Sequence, residues 1–186
     1  MFELGAVAAG YVVGSVLPAY LLGRVRGVDL RTADRRNAGT LNAYHVLGLW
    51  PAVVTAVYDV LKGLGAMWLA LEILGVSEAW AYAAGLAAIV GHMFPFYLGF
   101  RGANGVAVST GLVLWATYVA LSRGYLAAET FAVVLVLVAG LSFISRRWMP
   151  AAVVIMPLHA LTISLGAGAG AFAAFTWLAA AHVVFI

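Results

Sequence analysis

The chain has 186 residues, of which 65% are hydrophobic and 9% are charged, and its formal net charge is +3. Soluble domains carry about 25% charged and about 45–50% apolar residues, so this composition excludes a water-soluble globular protein and predicts an integral membrane protein. The absence of cysteine excludes disulfide bonds and thiolate metal ligands. The histidines and acids show no metal-ligand spacing such as H-E-x-x-H, and we expect no metal, no cofactor and no nucleic-acid partner.

Seven apolar segments approach the length of about 20 residues that a membrane-spanning helix needs. The first lacks a basic n-region, so we interpret it as a true span rather than as a cleaved signal peptide. The sequence therefore predicts an all-α integral membrane protein with a single transmembrane domain over 1–186. The predicted spans are 2–22, 44–74, 79–98, 106–121, 126–144, 150–165 and 171–186.

Basic residues fall mainly in alternate connections between the spans. Five of the ten Lys and Arg residues lie in the first connection, and Arg101, Arg146 and Arg147 lie in the third and fifth. Only Arg123 falls in a connection on the opposite side, and Lys62 lies inside a span. By the positive-inside rule, the first, third and fifth connections face the cytoplasm and the N-terminus lies outside.

Two predicted cytoplasmic connections combine arginine, glycine and asparagine in a way that suits phosphate binding. Arginine offers a planar fork of donors, and a glycine-rich turn lets backbone N–H groups at a helix start approach an anion. The alternative is that the arginines only fix the membrane topology. The candidate phosphate-binding residues are Arg35, Arg36, Asn37, Gly39 and Asn42 in the first loop (24–42) and Arg101, Gly102, Asn104 and Gly105 in the glycine-rich loop (100–105).

Asp59 and Lys62 lie in the middle of the second span, where ionisable groups are costly. Their i, i+3 spacing places them on one helix face, so we expect them to pair. Either the pair locks helix packing as a structural element, or the lysine snorkels to the surface, or the two residues take a direct part in a site.

Two histidines are candidates for a proton acceptor. His92 lies near the end of the third span, just before the glycine-rich loop, and His45 begins the second span beside the first loop. A lone histidine in an apolar helix is more often a hydrogen-bonded packing residue than a catalyst. Proximity to the two loops favours a role in the site for both residues.

Four stretches together resemble the bacterial acyl-phosphate:glycerol-3-phosphate acyltransferase family (PlsY). They are G-R-V-R-G-V-D-L-R at 23–31, N-A-G-T-L-N at 37–42, Y-D-V-L-K-G at 58–63 and G-H-M-F-P-F-Y-L-G-F-R-G-A-N-G-V-A at 91–107. Their order and spacing match that family from about residue 9 to residue 111, and the later spans match only in hydropathy.

The resemblance implies a seven-span enzyme of the bacterial inner membrane that needs no metal. It implies transfer of a fatty acyl group from acyl phosphate to glycerol 3-phosphate, which yields lysophosphatidic acid and phosphate. The implied partners are membrane lipid, these two substrates and, if the chain belongs to a larger assembly, other membrane proteins. Phosphate binding is implied for the two cytoplasmic loops.

Three departures from the family pattern affect the implied site. Arg35 and Leu41 replace the serine and threonine of the motif S-G-N-x-G-A-T-N, and Asn104 replaces the lysine of G-G-K-G. A third motif, which follows the last span in that family, does not occur before Ile186. Losing one phosphate-clamping cation typically costs about 10²–10³ in rate. Arg35 and Arg36 could supply the missing positive charge from the opposite loop.

Two hypotheses follow from the match and its departures. In the first, the chain is a divergent acyltransferase in which the two loops clamp phosphates and His92 or His45 accepts a proton, unless the substrate's own phosphate does. In the second, the chain is a non-catalytic homologue that serves as a subunit of a membrane complex or binds lipid, because a fold does not carry activity by itself. A transporter is less favoured, since the spans show no internal repeat.

Overall fold

The computed structural model of the protein describes residues 2–127, 129–133, 136 and 148–184, and the regular structure in these ranges is helical. Backbone contacts divide the chain into two compact units, Met1–Gly111 and Leu112–Ile186. Both candidate loops, the buried ion pair and both candidate histidines fall in the first unit. The helices are α1 (Phe2–Ser15), α2 (Pro18–Val25), α3 (Thr40–Leu47), α4 (Leu49–Trp68), α5 (Glu78–Met93), α6 (Val106–Ser122), α7 (Trp148–Ala167) and α8 (Ala171–Val184).

Among the described residues, two helical stretches are long and apolar enough to cross a membrane, Leu49–Ile73 and Glu78–Leu98. The bent pair α1 and α2 makes a third span if it is counted as one, and α6 and Ala171–His182 are shorter apolar helices. Most of the predicted fifth span lies outside the described residues, although 129–133 is helical. The count of seven spans and their orientation therefore stay predictions.

The first predicted span is not one continuous helix. Helices α1 and α2 meet at 40° across Val16 and Leu17, because Pro18 opens α2 without a backbone N–H to continue the ladder of α1. Two carbonyls at this break receive side-chain donors from elsewhere in the unit. The Tyr97 hydroxyl donates to Ser15 O at 2.7 Å, and Lys62 Nζ donates to Val16 O at 2.9 Å. Irregular backbone at membrane depth is tolerated where protein satisfies it in this way.

The second predicted span also differs from the sequence prediction. It starts earlier, as the short helix α3 from Thr40, and it is interrupted at Gly48, whose φ of 92° an L-residue would adopt only under strain. Helix α4 follows, and a π-helical turn over Leu69–Ile73 ends it. His45 therefore lies on a separate helix beside the first loop rather than at the start of a continuous span.

Helices α1 and α5 pack at backbone contact through small residues. A Cβ at Gly10 or Gly14 would overlap the backbone of Ala84 or Ala88, and a Cβ at Gly91 would overlap the carbonyl of Tyr11. Lipid tails are as apolar as the side chains, so the hydrophobic effect contributes little to the association of membrane helices. Close van der Waals contact between small residues stabilises the helix pair instead. This close packing fixes α5 against α1.

The second unit contains the rest of α6 with α7 and α8. Leu126, Ile163 and Ala120 form a buried cluster, and the backbone of Tyr125 fits against Gly166 with no room for a Cβ. His159, which the sequence places in purely apolar company, lies 2.7 Å from Thr117 Oγ1 through its Nε2. No candidate site residue lies in this unit.

Candidate functional site

The first loop is organised around the buried side chain of Asn42. Its amide nitrogen donates to the carbonyls of Leu30, Ala33 and Asn37 at 2.7–3.2 Å, and its Oδ1 accepts the backbone N–H of Arg35 at 3.1 Å. Asn42 is fully buried, so both halves of its amide are used to shape the loop. Its geometry supports a positioning role, whereas sequence reasoning placed it among the phosphate ligands.

Arg31 is the second residue whose contacts hold the first loop in place. Its guanidinium forms two bonds to the carboxylate of Asp29, at 2.8 and 3.1 Å, donates to Leu98 O at 2.9 Å and stacks over Tyr20. The hydrogen-bonded Arg31 side chain holds the pKa of Asp29 below its ordinary value. Arg26 similarly donates to Leu47 O at 2.6 Å. These two arginines therefore hold the loop in place, a role that their positions in the sequence alone did not reveal.

The glycine-rich loop folds back against the end of α5. Gly102 N–H donates to Met93 O at 2.9 Å, and Ala103 N–H donates to His92 O at 3.1 Å. A Cβ at Gly102 would collide with the carbonyl of His92, with Met93 O and with Pro95 Cδ. Glycine is therefore required here for close backbone approach to the end of α5, whereas the sequence prediction was an approach of the loop's N–H groups to an anion.

The two loops contact each other through their backbones. The N–H of Ala38 donates to Gly102 O at 3.3 Å, and a Cβ at Gly39 would lie 3.6 Å from that of Ala103. Arg36 lies two residues before Ala38 and Arg101 one residue before Gly102, so both arginines adjoin this contact along the chain. We refer to residues 35–39 and 101–105 as the loop junction.

Three arginines at the loop junction are exposed and uncommitted. The guanidinium groups of Arg35, Arg36 and Arg101 make no hydrogen bond or ion pair with any residue in the described part of the chain. Arg36 also has a φ of 55°, a left-handed conformation that costs an ordinary L-residue energy. Strained backbone tends to occur where function requires a particular side-chain direction.

The remaining junction residues supply shape and polar groups. Asn37 Oδ1 accepts the N–H of Gly39 at 3.1 Å, which forms the tight turn before α3. Asn104 is exposed beside Arg101, and Gly105 has a φ of 80° at the start of α6. The junction thus joins three cations, an exposed amide and a glycine turn that opens a helix, a combination suited to a phosphate or carboxylate.

The two candidate histidines have opposite surroundings. His45 is half-exposed on α3, and its Nδ1 lies 2.9 Å from the carboxylate of Asp34. With Nδ1–H donated to Asp34, the Nε2 of His45 is left as an acceptor. Asp34 itself has a φ of 43°, so a strained residue holds this imidazole.

His92 belongs instead to a buried ionic cluster, which we define as Asp59, Lys62 and His92. Lys62 Nζ lies 2.9 Å from Asp59 Oδ1 and 2.7 Å from His92 Nδ1, and His92 Nδ1 lies 3.6 Å from Asp59 Oδ1. All three residues are at most 4% exposed. The Asp59–Lys62 contact expected from the i, i+3 spacing is present, and the structure adds His92, 30 residues further along the chain, to it.

An apolar groove of about 600 Å³ runs along α4 on the side that faces α1. Lys62 and Tyr58 are the polar side chains along it, and Lys62 belongs also to the buried ionic cluster. Sequence reasoning did not find this groove, because its residues alternate with packing residues along a uniformly apolar helix. Its other lining residues are Val13, Val53, Val54, Val57, Leu61 and Gly65.

A sequence model of one known family, described as glycerol-3-phosphate acyltransferase, matches residues 4–186. The chain belongs to the glycerol-3-phosphate acyltransferase family. This confirms the resemblance that the four sequence stretches suggested.

Curated members of the glycerol-3-phosphate acyltransferase family share two fifths or more of their residues with this chain over the matched part. The protein of that name from Gloeobacter violaceus is 45% identical over 115 residues, which cover 60% of this chain and 56% of the relative. The one from Geobacter metallireducens is 40% identical over 114 residues, 61% of this chain and 58% of the relative. The matches therefore span slightly more than half of these relatives.

Solved structures of the family share the fold of this chain. Two crystal structures of PlsY (YgiH), an integral membrane glycerol 3-phosphate acyltransferase, superpose with TM-scores of 0.74 for the glycerol 3-phosphate form and 0.71 for the lysophosphatidic acid form. Each covers 98% of this chain and 86% of the solved chain at 24% identity. The likeness establishes an all-helical membrane fold of the PlsY type.

Proposed function

We propose that this protein is a bacterial inner-membrane acyltransferase that moves an acyl group from acyl phosphate to glycerol 3-phosphate and so forms lysophosphatidic acid. Family membership supports this reaction, and the relatives are named for glycerol 3-phosphate acyl transfer. We further propose that the chain is one domain with seven spans, an external N-terminus and the loop junction in the cytoplasm, as the arginine distribution indicates.

The observation that carries the proposal is the backbone contact between Ala38 and Gly102. It brings together two loops that are more than sixty residues apart, and with them the uncommitted guanidinium groups of Arg36 and Arg101. Two phosphate-bearing substrates need such a cluster of cations, since charge-assisted hydrogen bonds are roughly twice as strong as neutral ones. Arg35, Asn37, Asn104 and Gly105 complete the proposed binding surface, and Gly39, Asn42 and Gly102 hold its shape.

The proposed reaction needs positioning and charge neutralisation more than it needs redox or metal chemistry. The hydroxyl oxygen of glycerol 3-phosphate attacks the acyl carbonyl carbon, and an ester C–O bond forms. The C–O bond to the donor's phosphate then breaks, and its electron pair leaves on the phosphate. The proton of the attacking hydroxyl passes to a phosphate oxygen of the donor or to Nε2 of His45. Arginines at the junction stabilise the charge on the leaving phosphate.

Between the two candidate histidines, the geometry favours His45 for contact with substrate. Its ring is half-exposed and oriented by Asp34, so its second nitrogen can accept a proton or a hydrogen bond. The Nδ1 of His92 is buried against Lys62, so that nitrogen is not available to a substrate. We therefore propose a substrate contact for His45 and a positioning role for His92.

The apolar groove along α4 is the proposed location of the donor's acyl chain. Its volume of about 600 Å³ lies within the usual range of about 300–1,000 Å³ for ligand sites. Lys62 lines this groove and also contacts His92, whose carbonyl anchors the glycine-rich loop. The groove therefore adjoins the structure that carries the loop junction, which suits a substrate with a long apolar tail and a phosphate head.

The alternative of a non-catalytic subunit or lipid-binding homologue gains no support from the described residues. The replacement of a family lysine by Asn104 removes one cation, but Arg35 and Arg36 add positive charge on the facing loop. Because binding of an anion depends on the number of nearby cations more than on their exact origin, the junction retains its suitability for phosphate.

Turnover of purified protein tests the proposal. Acyl phosphate and glycerol 3-phosphate are supplied together and separately, and both released phosphate and lysophosphatidic acid are measured. We expect both products in equal amounts, and only when both substrates are present. An Arg101→Gln variant should lose most of this activity, whereas an Arg123→Gln variant, which changes an exposed arginine of the second unit, should keep it.

Each other outcome contradicts a stated part of the proposal. Phosphate release without lysophosphatidic acid would indicate hydrolysis of the donor rather than transfer. No release above the protein-free rate, beside an active Gloeobacter violaceus relative, would show that the chain is not an acyltransferase. Equal activity of Arg101→Gln and the wild type would place the phosphate site elsewhere.

A further inference from the structure

The buried ionic cluster surrounds the ammonium group of Lys62 with two hydrogen-bond acceptors and one carboxylate. Nζ lies within 2.9 Å of Asp59 Oδ1 and of Val16 O, and 2.7 Å from His92 Nδ1. A lysine ammonium has three N–H donors and no acceptor, so two hydrogen-bond acceptors and an ion-paired carboxylate around one Nζ match the charged form, although the Asp59 Oδ1 contact lacks hydrogen-bond geometry. The cluster thus joins the break between α1 and α2, the middle of α4 and the last turn of α5.

The location of the proton between Lys62 and His92 follows from their chemistry. An amine of the lysine type holds its proton about 10⁴-fold more strongly than an imidazole in model peptides. Asp59 Oδ1 also lies closer to Lys62 Nζ, at 2.9 Å, than to His92 Nδ1, at 3.6 Å, which favours positive charge on the lysine. His92 Nδ1 must then accept, and the ring proton of neutral His92 sits on Nε2.

His92 also carries the glycine-rich loop through its backbone. Its carbonyl accepts the N–H of Ala103, and it lies so close to Gly102 that no Cβ fits between them. A fixed His92 side chain therefore also fixes the His92 carbonyl, to which the glycine-rich loop is hydrogen-bonded. In a membrane protein a salt bridge at this depth is costly, and such groups are commonly kept for function.

We infer that Asp59 and Lys62 are positioning residues that hold His92 as the neutral Nε2–H tautomer and thereby set the position of the glycine-rich loop. Lys62 acts by donating to His92 Nδ1 and to Val16 O, and Asp59 acts by keeping Lys62 charged. The tautomer rests on the contacts of the cluster and on the ordinary proton affinities of an amine and an imidazole, and only its effect on turnover rests on the proposed function.

The tautomer is tested by nitrogen NMR on protein labelled with ¹⁵N in its histidine rings. The chain has four histidines, and the His92 signals are identified by their loss in a His92→Gln variant. We expect a proton on Nε2 and a hydrogen-bonded, unprotonated Nδ1. In the double variant Asp59→Asn/Lys62→Met, this preference should weaken to a mixture of both tautomers. A wild-type His92 with its proton on Nδ1, or on both nitrogens, would overturn the inference.

Turnover of the same double variant separates positioning from mere packing. Removing both charges leaves no unpaired ion, and such replacements are often neutral for stability. We therefore expect a folded variant whose thermal midpoint is lowered by the loss of the bonds to Val16 O and His92 Nδ1, and whose kcat is about 10–100-fold lower, because a displacement near 1 Å can cost about 10²-fold. A double variant with wild-type kcat would show that the pair only locks the helices.

Thr55→Val is the matched control on the same helix. Thr55 is fully buried, and within the described part of the chain its hydroxyl donates to Pro51 O of α4 and forms no hydrogen bond with the cluster. It should retain both the thermal midpoint and kcat. If the wild type itself shows no acyl transfer, the proposed function fails while the NMR result still decides the tautomer.

Discussion

The buried ionic cluster and the exposed loop junction differ in whether their charged side chains are paired within the protein. In the cluster, Lys62 and His92 bond to each other within helices that exclude solvent. At the junction, Arg36 and Arg101 are exposed and bond to no residue in the described part of the chain. Buried polar groups are costly unless paired, whereas exposed cations cost little and remain available to a ligand.

The same contrast separates the two histidines. Each lies beside a carboxylate, His45 at 2.9 Å from Asp34 and His92 at 3.6 Å from Asp59. Burial and the intervening lysine distinguish them, since His92 is fixed between three helical segments while His45 retains an accessible ring. A histidine beside a carboxylate is therefore not sufficient evidence of a catalytic role. The second ring nitrogen must also be accessible to a substrate.

Gly102→Ala should have the largest effect, because Gly102 is the point where cluster and junction are physically joined. Its Cβ would overlap the carbonyls of His92 and Met93, which cannot yield without moving the loop. We expect kcat/KM to fall by about 10²-fold or more. Gly5→Ala, whose Cβ has open space around it and which lies outside the groove, serves as the control and should remain active. Similar activities of the two variants would show that the contact does not govern the site.

His45→Gln tests the exposed half of the comparison. If His45 takes the hydroxyl proton, kcat should drop by about 10²-fold, the lower end of general-base contributions. If the donor's phosphate takes the proton, glutamine can still donate a hydrogen bond, and only the KM of the substrates should rise. Unchanged kcat and unchanged KM would remove His45 from the site.

Gly65→Leu sharpens the assignment of the groove. Gly65 lines the groove and has no atom within 4 Å of its Cβ position, so leucine adds bulk to the groove without disturbing the fold. We expect preference for long over short acyl phosphates to fall about tenfold, since a few methylenes in an apolar site are worth that much. Gly5→Leu is the matched control, as Gly5 is equally open and lies outside the groove. Equal preference in both variants would place the acyl chain elsewhere.

The smallest expected effect is the pH response of the Asp29–Arg31 pair. The Arg31 hydrogen bond lowers the pKa of Asp29 from its ordinary 3.8, so the pair stabilises the loop above that value and loses its effect as pH falls through the lower folded pKa. The amide signal of Arg31, which donates to Asp29 Oδ1, should titrate with a midpoint below 3.8. A midpoint at or above 3.8 would mean that the pair does not hold in solution.

Much of the site was predictable, because its chemistry depends on residue types that are rare in membrane spans. Arginine, asparagine and glycine stand out against an apolar background, and the Asp59–Lys62 contact follows from helical spacing alone. The family resemblance rested on the same residues. The apolar sequence pattern located the spans but not the ends of the helices. The break at Pro18 and the interruption at Gly48 were therefore not predicted.

The remaining features depend on contacts between distant segments. Nothing local to Asn42 indicates that its amide closes the first loop, and nothing local to Arg31 indicates that it reaches Leu98. The addition of His92 to the ion pair likewise requires α4 and α5 to pack at a particular rotation. Sequence spacing describes one helix at a time, whereas these roles arise from tertiary packing.

The central claim is that the two loops form one phosphate site, and a double-mutant cycle between Arg36 and Arg101 tests it most directly. Arg36→Gln, Arg101→Gln and the double variant are compared by kcat/KM for glycerol 3-phosphate. Each single change should cost about 10–100-fold, the worth of a charge-assisted hydrogen bond. If both arginines contact the same phosphate, the double variant should lose clearly less than the product of the single losses. A loss equal to that product would place the arginines at independent sites and contradict the account.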